Sequence, residues 1–131
     1  AGLDPEERVR FRSILSRYAK GGRTVLLSTH IVEDISQLCE HIAVLNKGEL
    51  FFTGQSEAMK KKVSGRIKLV ECADDNELEQ LGKQATILST VYEQGRIKVR
   101  VADINGRLSE PAVTETLEDA YVYYMGGKSH V

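Results

Sequence analysis

The sequence has no tryptophan, only two prolines and only two cysteines, and it contains no long apolar run. Cys39 and Cys72 fit no metal-binding or redox spacing. We therefore expect both to be small buried side chains in a reducing compartment. No apolar stretch approaches the roughly 20 residues that span a bilayer, so the pattern predicts no membrane-spanning helix within this sequence.

No charge of one sign dominates the chain. Its 18 Lys and Arg side chains oppose 19 Asp and Glu side chains, which gives a formal net charge of -1. This balance produces no long-range field for nucleic acid or an anionic membrane, so we expect no nucleic-acid partner. The basic run Lys60-Lys61-Lys62 could attract an anionic partner. A solvated helix end is the simpler interpretation, because cations suit the negative end of a helix dipole.

Helix and strand patterns alternate through the first half of the sequence. Asp4-Pro5 is typical of a helix start, because Asp accepts bonds from free amides and Pro fits the first helical position. One stripe of apolar side chains along this first helix is expected to be buried. A strand at 24–28, a second helix at 31–40 and a strand at 42–45 would follow, and the alternation predicts a parallel sheet with crossovers. The apolar stripe of the first helix consists of Phe11, Ile14, Leu15 and Tyr18.

The first half ends with a sequence typical of a hairpin turn and with a predicted domain boundary. Asn46-Lys47-Gly48 is typical of a hairpin turn, and Ser56 is expected to cap a short helix. Ser64-Gly65 resembles a domain boundary, which predicts domains at 1–64 and 65–131. The second half predicts the order β-α-β-β-α, a small α+β lobe of the ferredoxin-like kind. Its first helix would end at Gly82, and Thr116-Leu117-Glu118-Asp119 resembles a capping box before the last helix.

His30 is the residue that most suggests a function. It follows the apolar run 24–29 and precedes an acidic, helix-like segment. A histidine at a strand-to-helix junction can direct its imidazole at a ligand bound at the carboxyl end of a sheet. From this segment alone, a satisfied structural histidine is the alternative.

Several short motifs together carry a family resemblance. The motifs are, in chain order, Ala1-Gly2-Leu3-Asp4-Pro5, Leu26-Leu27-Ser28-Thr29-His30 and Asn46-Lys47-Gly48-Glu49 with Gly54. Their order and spacing resemble those at the end of an ABC-transporter nucleotide-binding domain. Residues 1 to about 64 resemble that region. The second half is similar to the carboxy-terminal extension of ABC ATPases of the drug- and polymer-exporter type, which often carries a sequence such as Leu117-Glu118-Asp119.

The resemblance implies a fold and a function. The fold would be the α/β remnant of an ABC ATPase core, of the P-loop NTPase type, followed by the α+β lobe. The parent protein would be an ATP-hydrolysing subunit of an exporter for drugs, polymers or ions, and it would use ATP and Mg²⁺. It would pair with a second nucleotide-binding domain and dock on a separate membrane permease, on the cytoplasmic face of the cell membrane.

The same resemblance implies roles for individual residues. His30 would be the switch histidine, which bonds the γ-phosphate and holds the attacking water; such electrostatic positioning is most of what phosphoryl transfer requires. Ala1, Gly2, Leu3 and Asp4 would form the D-loop at the dimer interface. For Asp4, this role is compatible with capping its helix.

The phosphate-binding motif of the family is missing. It requires Gly-x-x-x-x-Gly-Lys-[Ser/Thr], and the only near match, Gly127-Lys128-Ser129, has Val122 at the first glycine position. The signature helix and the Walker B strand are also missing. We therefore expect a fragment that binds no ATP or metal by itself and is inactive alone. Without neighbouring strands, the backbone N–H and C=O groups of the strand at 24–28 would be unpaired. This would favour a domain-swapped dimer or a rearranged first half.

Two other classes of function stay open. The second lobe could be a non-enzymatic regulatory module that binds a ligand, or a dimerisation module. The chain could also be an unrelated small α/β protein, which requires the spacing between the D-loop motif and His30 to be coincidental.

Overall fold

The computed structural model describes residues 4–126, in which helices accompany two antiparallel sheets. The first half contains α1 (Pro5–Lys20), α2 (Val32–Leu38), β1 (His41–Asn46), β2 (Glu49–Gln55) and α3 (Ser56–Lys60), which a turn of 3₁₀ helix at Lys61–Val63 extends. The second half contains β3 (Ile67–Cys72), α4 (Asp75–Gln84), β4 (Thr86–Glu93), β5 (Arg96–Ala102) and α5 (Leu117–Tyr124).

Helix α1 begins as predicted but does not bury its apolar stripe. Asp4 is the N-cap, and its side chain accepts a hydrogen bond from the Glu7 amide. None of the residues of α1 is buried, and Ile14 is 53% exposed. The predicted buried stripe is therefore wrong for the described residues. The reason is that α1 packs against the short helix α2, which is too small to cover a 16-residue helix.

The strand predicted at 24–28 is also wrong, and with it the parallel sheet. This segment is irregular, and Leu26 in its middle is 98% exposed. A strand needs a neighbour for its backbone hydrogen bonds. The sheets formed by residues 4–126 are the pair β1-β2 and the group β3-β5-β4, all antiparallel, and neither pairs with this segment.

The hairpin in the first half is confirmed. β1 and β2 pair antiparallel around Lys47 and Gly48, whose φ angles are 50° and 80°. Two consecutive positive φ angles suit the twist of a tight hairpin, and glycine adopts them without steric cost. Ser56 does not cap α3 as predicted. It is the first helical residue, and Gln55 stands at the N-cap position.

The second half has the predicted order β-α-β-β-α. Its central strand is β5, with β3 on one side and β4 on the other. Ile97, Val99 and Val101 are buried against α4, as their alternation with Lys98 and Arg100 predicts. Helix α4 continues through Gly82 to Gln84, so the predicted end at Gly82 is wrong. The helix extends because Leu81, beside the glycine, is buried in this core.

A second apolar cluster includes residues from both sides of position 64. Met59 and Val63 pack in it together with Leu117, Ala120 and Val122 of α5. Helix α5 also contacts α2. The division into domains 1–64 and 65–131 stays a prediction. No helix among the described residues is long and apolar enough to cross a membrane.

Candidate functional site

His30 lies on an exposed turn directly before α2. The Thr29 side chain shapes this turn, because its Oγ1 accepts a hydrogen bond from the Ile31 amide at 3.0 Å. The side chain of His30 is exposed. Its placement at the start of a helix matches the sequence prediction, although the preceding segment is not a strand.

Asp4, the last residue of the predicted D-loop, has a clear local role. Its Oδ1 accepts a hydrogen bond from the Glu7 amide at 2.9 Å, and its carbonyl accepts one from the Arg8 amide. The carboxylate therefore stabilises the start of α1. The other predicted D-loop residues, Ala1, Gly2 and Leu3, lie outside the described residues, as does the rejected motif Gly127-Lys128-Ser129.

Two arginines join the helix after Asp4 to the helix after His30. Arg8 Nη2 and Arg12 Nη1 both donate to Oδ1 of Asp34, at 3.1 and 3.0 Å. Asp34 lies in the first turn of α2 and is only 18% exposed. Burial acts to raise the pKa of this carboxyl, but the two guanidinium groups outweigh it and hold the pKa below its usual value.

The sequence interpretation missed this link. Arg8 and Arg12 are four residues apart, so they lie on one face of α1. That spacing, together with an acidic first turn on the next helix, was the available signal. The link brings together the segments that carry the two predicted motifs. Asp4 itself caps α1 separately, and Thr29 shapes the turn at His30.

That this chain alone binds no ATP or metal stays a prediction. No group of three or more His, Cys, Asp or Glu side chains between these positions could hold a metal ion. The phosphate-binding loop is missing from the sequence. The described residues contribute the exposed imidazoles of His30 and His41, and we assign no chemical step to this chain alone.

The second half contains two buried ion pairs. Lys68 Nζ donates to Asp103 Oδ2 at 2.8 Å and to the Leu108 carbonyl. Arg100 donates through Nε and Nη2 to the two carboxylate oxygens of Asp119, each at 2.7 Å. In both pairs the buried carboxylate is matched by a cation and by backbone amides. Such satisfied groups are typical of structural clusters.

Comparison with known proteins relates the chain to a transporter family. No protein-family model matches it. An uncharacterized ABC transporter ATP-binding protein of Synechocystis sp. is 29% identical over 132 residues, which cover 93% of this chain and 36% of that protein. The chain is thus similar to an ABC transporter ATP-binding protein over most of its own length.

Further ABC transporter ATP-binding proteins are similar to about half of the chain. An uncharacterized ABC transporter ATP-binding protein of Nostoc sp. is 34% identical over 59 residues, which cover 45% of this chain and 18% of that protein. The energy-coupling factor transporter ATP-binding protein EcfA2 of Streptococcus pyogenes is 31% identical over 64 residues, or 49% of this chain and 23% of that protein. The chain thus spans about a third or less of the length of these relatives. The resemblance to the ABC family stated from the motifs is confirmed.

Proposed function

We propose that this chain is the C-terminal part of the ATP-hydrolysing subunit of an ABC transporter. In the complete subunit, ATP hydrolysis would energise transport through a separate permease. The observation that carries the proposal is the double ion pair of Arg8 and Arg12 with Asp34. It ties the helix that follows the D-loop motif to the helix that follows His30, within a relative of ABC transporter ATP-binding proteins.

In this proposal His30 is the switch histidine. An exposed imidazole can donate a hydrogen bond to a developing negative charge on the γ-phosphate, which favours the transition state. Asp34 has a structural role in this proposal, because its Oδ1 accepts hydrogen bonds from two arginines of α1. Its contribution is to hold α2, and therefore the turn that carries His30, against α1.

The D-loop assignment covers Ala1, Gly2, Leu3 and Asp4 and places them at the interface with a second nucleotide-binding domain. Asp4 can serve this role while capping α1, because the cap uses one carboxylate oxygen. ATP, Mg²⁺, the permease and a location on the cytoplasmic face of the membrane belong to the same proposal. Activity requires the complete subunit, because this sequence lacks the phosphate loop.

The most specific part of the proposal is the direction of transport, which is export. It rests on the resemblance of the second half to the carboxy-terminal extension of exporter-type ATPases. The strand order β3-β5-β4, with antiparallel neighbours, supports a small α+β lobe, and its ferredoxin-like character is part of the proposal. The domain boundary at 64–65 belongs to this proposal as well.

The test is ATP hydrolysis by the complete subunit carrying His30→Ala. We expect turnover to fall on the order of 10²-fold, with ATP binding retained, because one electrostatic contact to the transition state is lost. His41→Ala is the matched control, since His41 is also exposed but lies on β1. Turnover in His30→Ala as high as in His41→Ala would assign His30 a structural role and overturn its assignment as the switch histidine.

A regulatory or dimerisation module is the alternative function. The two buried ion pairs of the second half give it no specific support, since their groups are satisfied within the chain. It would be favoured if residues 66–125, expressed alone, bound a metabolite.

A further inference from the structure

Helix α2 is held from two directions. On one side, Arg8 and Arg12 of α1 bind Asp34. On the other, α2 contacts α5 of the second half, and its Val32 and Ile35 pack on the apolar cluster that also receives Tyr121. The turn that carries His30 leads directly into this helix, so the position of α2 sets the position of His30.

Helix α5 is fixed to the sheet of the second half by Arg100. The guanidinium of this β5 residue reaches both oxygens of Asp119 at 2.7 Å, and its Nη2 also donates to the Thr114 carbonyl at 2.9 Å. The side chain of Asp119 is 5% exposed. A bidentate pair in a buried position fixes orientation as well as distance. Arg100 therefore anchors the start of α5 and the segment that precedes it.

We propose that Arg100 is a positioning residue for His30. It acts through Asp119 and α5, which together hold α2 in place against α1. Arg100 lies in the second half and reaches His30 only by way of these two helices, so the accessory lobe takes part in ordering the ATP site. This inference rests on the proposed function, and it adds a role for the second half that the motif resemblance does not contain.

The structure offers a matched control in the same lobe. Lys68 also forms a buried ion pair, at 2.8 Å from Asp103. That pair closes the loop after β5, because Asp103 accepts hydrogen bonds from the amides of Arg107 and Leu108. It does not include α5. Loss of either cation leaves a buried carboxylate without its cation, so Arg100→Met and Lys68→Met should destabilise the lobe comparably.

The experiment uses two measurements on Arg100→Met, Lys68→Met and Arg100→Lys. The first is amide hydrogen exchange over residues 30–38, on the 131-residue chain. The second is turnover and KM for ATP of the complete subunit, at a temperature where every variant is folded. In Arg100→Met we expect faster exchange in α2 and turnover lowered about tenfold, with KM within about twofold of the original.

The comparison between variants decides the inference. Lys68→Met should leave both measurements unchanged, and Arg100→Lys should recover part of the loss, because it keeps the charge but not the bidentate geometry. Unchanged exchange of α2 in Arg100→Met would overturn the inference. Faster exchange with full turnover would overturn the positioning role.

Two results separate this inference from the proposed function. The exchange measurement needs no ATPase activity, so it tests the mechanical link from Arg100 to α2 whatever the parent protein does. A failure of the proposed function would instead appear as no ATP hydrolysis by the complete subunit with its original residues, and full turnover in His30→Ala would overturn the switch role alone. Should Arg100→Met not fold, Arg100→Lys carries the test with the same two measurements, and unchanged exchange in that variant would again overturn the inference.

Discussion

The two halves of the described chain differ in how much of their own apolar surface they cover. In residues 65–126, α4 covers one face of the sheet and buried carboxylates are matched by Lys68 and Arg100. In residues 4–64, α1 has no buried residue and Leu26 is almost fully exposed. The proposed catalytic motifs therefore lie in the half that depends most on further contacts, while the apolar cluster around α4 is built from residues of the accessory lobe alone.

The largest expected difference between the halves is the response to a truncated apolar side chain. Leu78→Ala in α4 should lower the free energy of unfolding by about 2–5 kcal/mol, because Leu78 is 1% exposed and the change leaves a cavity. Ile14→Ala in α1, at 53% exposure, should cost less than about 1 kcal/mol. Urea unfolding of the two variants measures both values, and equal losses would contradict the contrast.

A smaller effect should appear in acid and should be specific to the second half. Burial acts to raise the pKa of Asp103, but Lys68 and the amides of Leu108 and Arg107 lower it from 3.8 to about 2. The folded pKa lies below the unfolded one. The carboxylate therefore contributes about 2 kcal/mol of stability above pH 4, which is lost as the pH falls from about 4 to 2.

The measurement is urea unfolding at pH 5 and at pH 2, in the original chain and in Asp103→Asn. The variant cannot titrate at this position, so its loss of stability between the two pH values should be smaller by about 2 kcal/mol. Other carboxylates titrate in both proteins and cancel in the comparison. Parallel pH profiles would show that Asp103 is not held ionised by its neighbours.

The smallest effect concerns the link between α1 and α2. Asp34→Asn removes the charge that both Arg8 and Arg12 contact and should cost about 1 kcal/mol, because all three groups are partly exposed to solvent. Glu33→Gln is the control: it removes the same charge from the same first turn, but Glu33 is exposed. Thermal unfolding compares them, and the link contributes nothing if both variants melt alike.

Local patterns of the second half predicted its structure well. The alternation of Ile97, Val99 and Val101 identified the face of β5 that α4 covers. The expectation that the other face is wet holds only in part, because Arg100 on that face binds Asp119 of α5. The capping box at Thr116 and Asp119 is confirmed, because both of its hydrogen bonds form within four residues. Where packing overrode a local signal, as at Gly82, the prediction was wrong.

Patterns that depend on distant partners predicted less. The run at 24–28 has the composition of a buried strand, but strand formation depends on a neighbour that no local pattern reports. For the candidate site, the position of His30 before a helix could be predicted from its flanking residues. The helix after His30 is supported by hydrogen bonds from Arg8 and Arg12 to Asp34. These pairs are separated by 26 and 22 positions in the sequence, and the sequence pattern did not reveal them.

Asp119 has a further consequence for how the second half unfolds. Its Oδ2 accepts the Thr116 amide of the capping box and also a hydrogen bond from Arg100. The carboxylate that starts helix α5 is thus the same carboxylate that attaches the helix to the sheet. Helix initiation and docking are one cooperative event, so α5 gains its order together with the sheet beneath it and loses it together with that sheet.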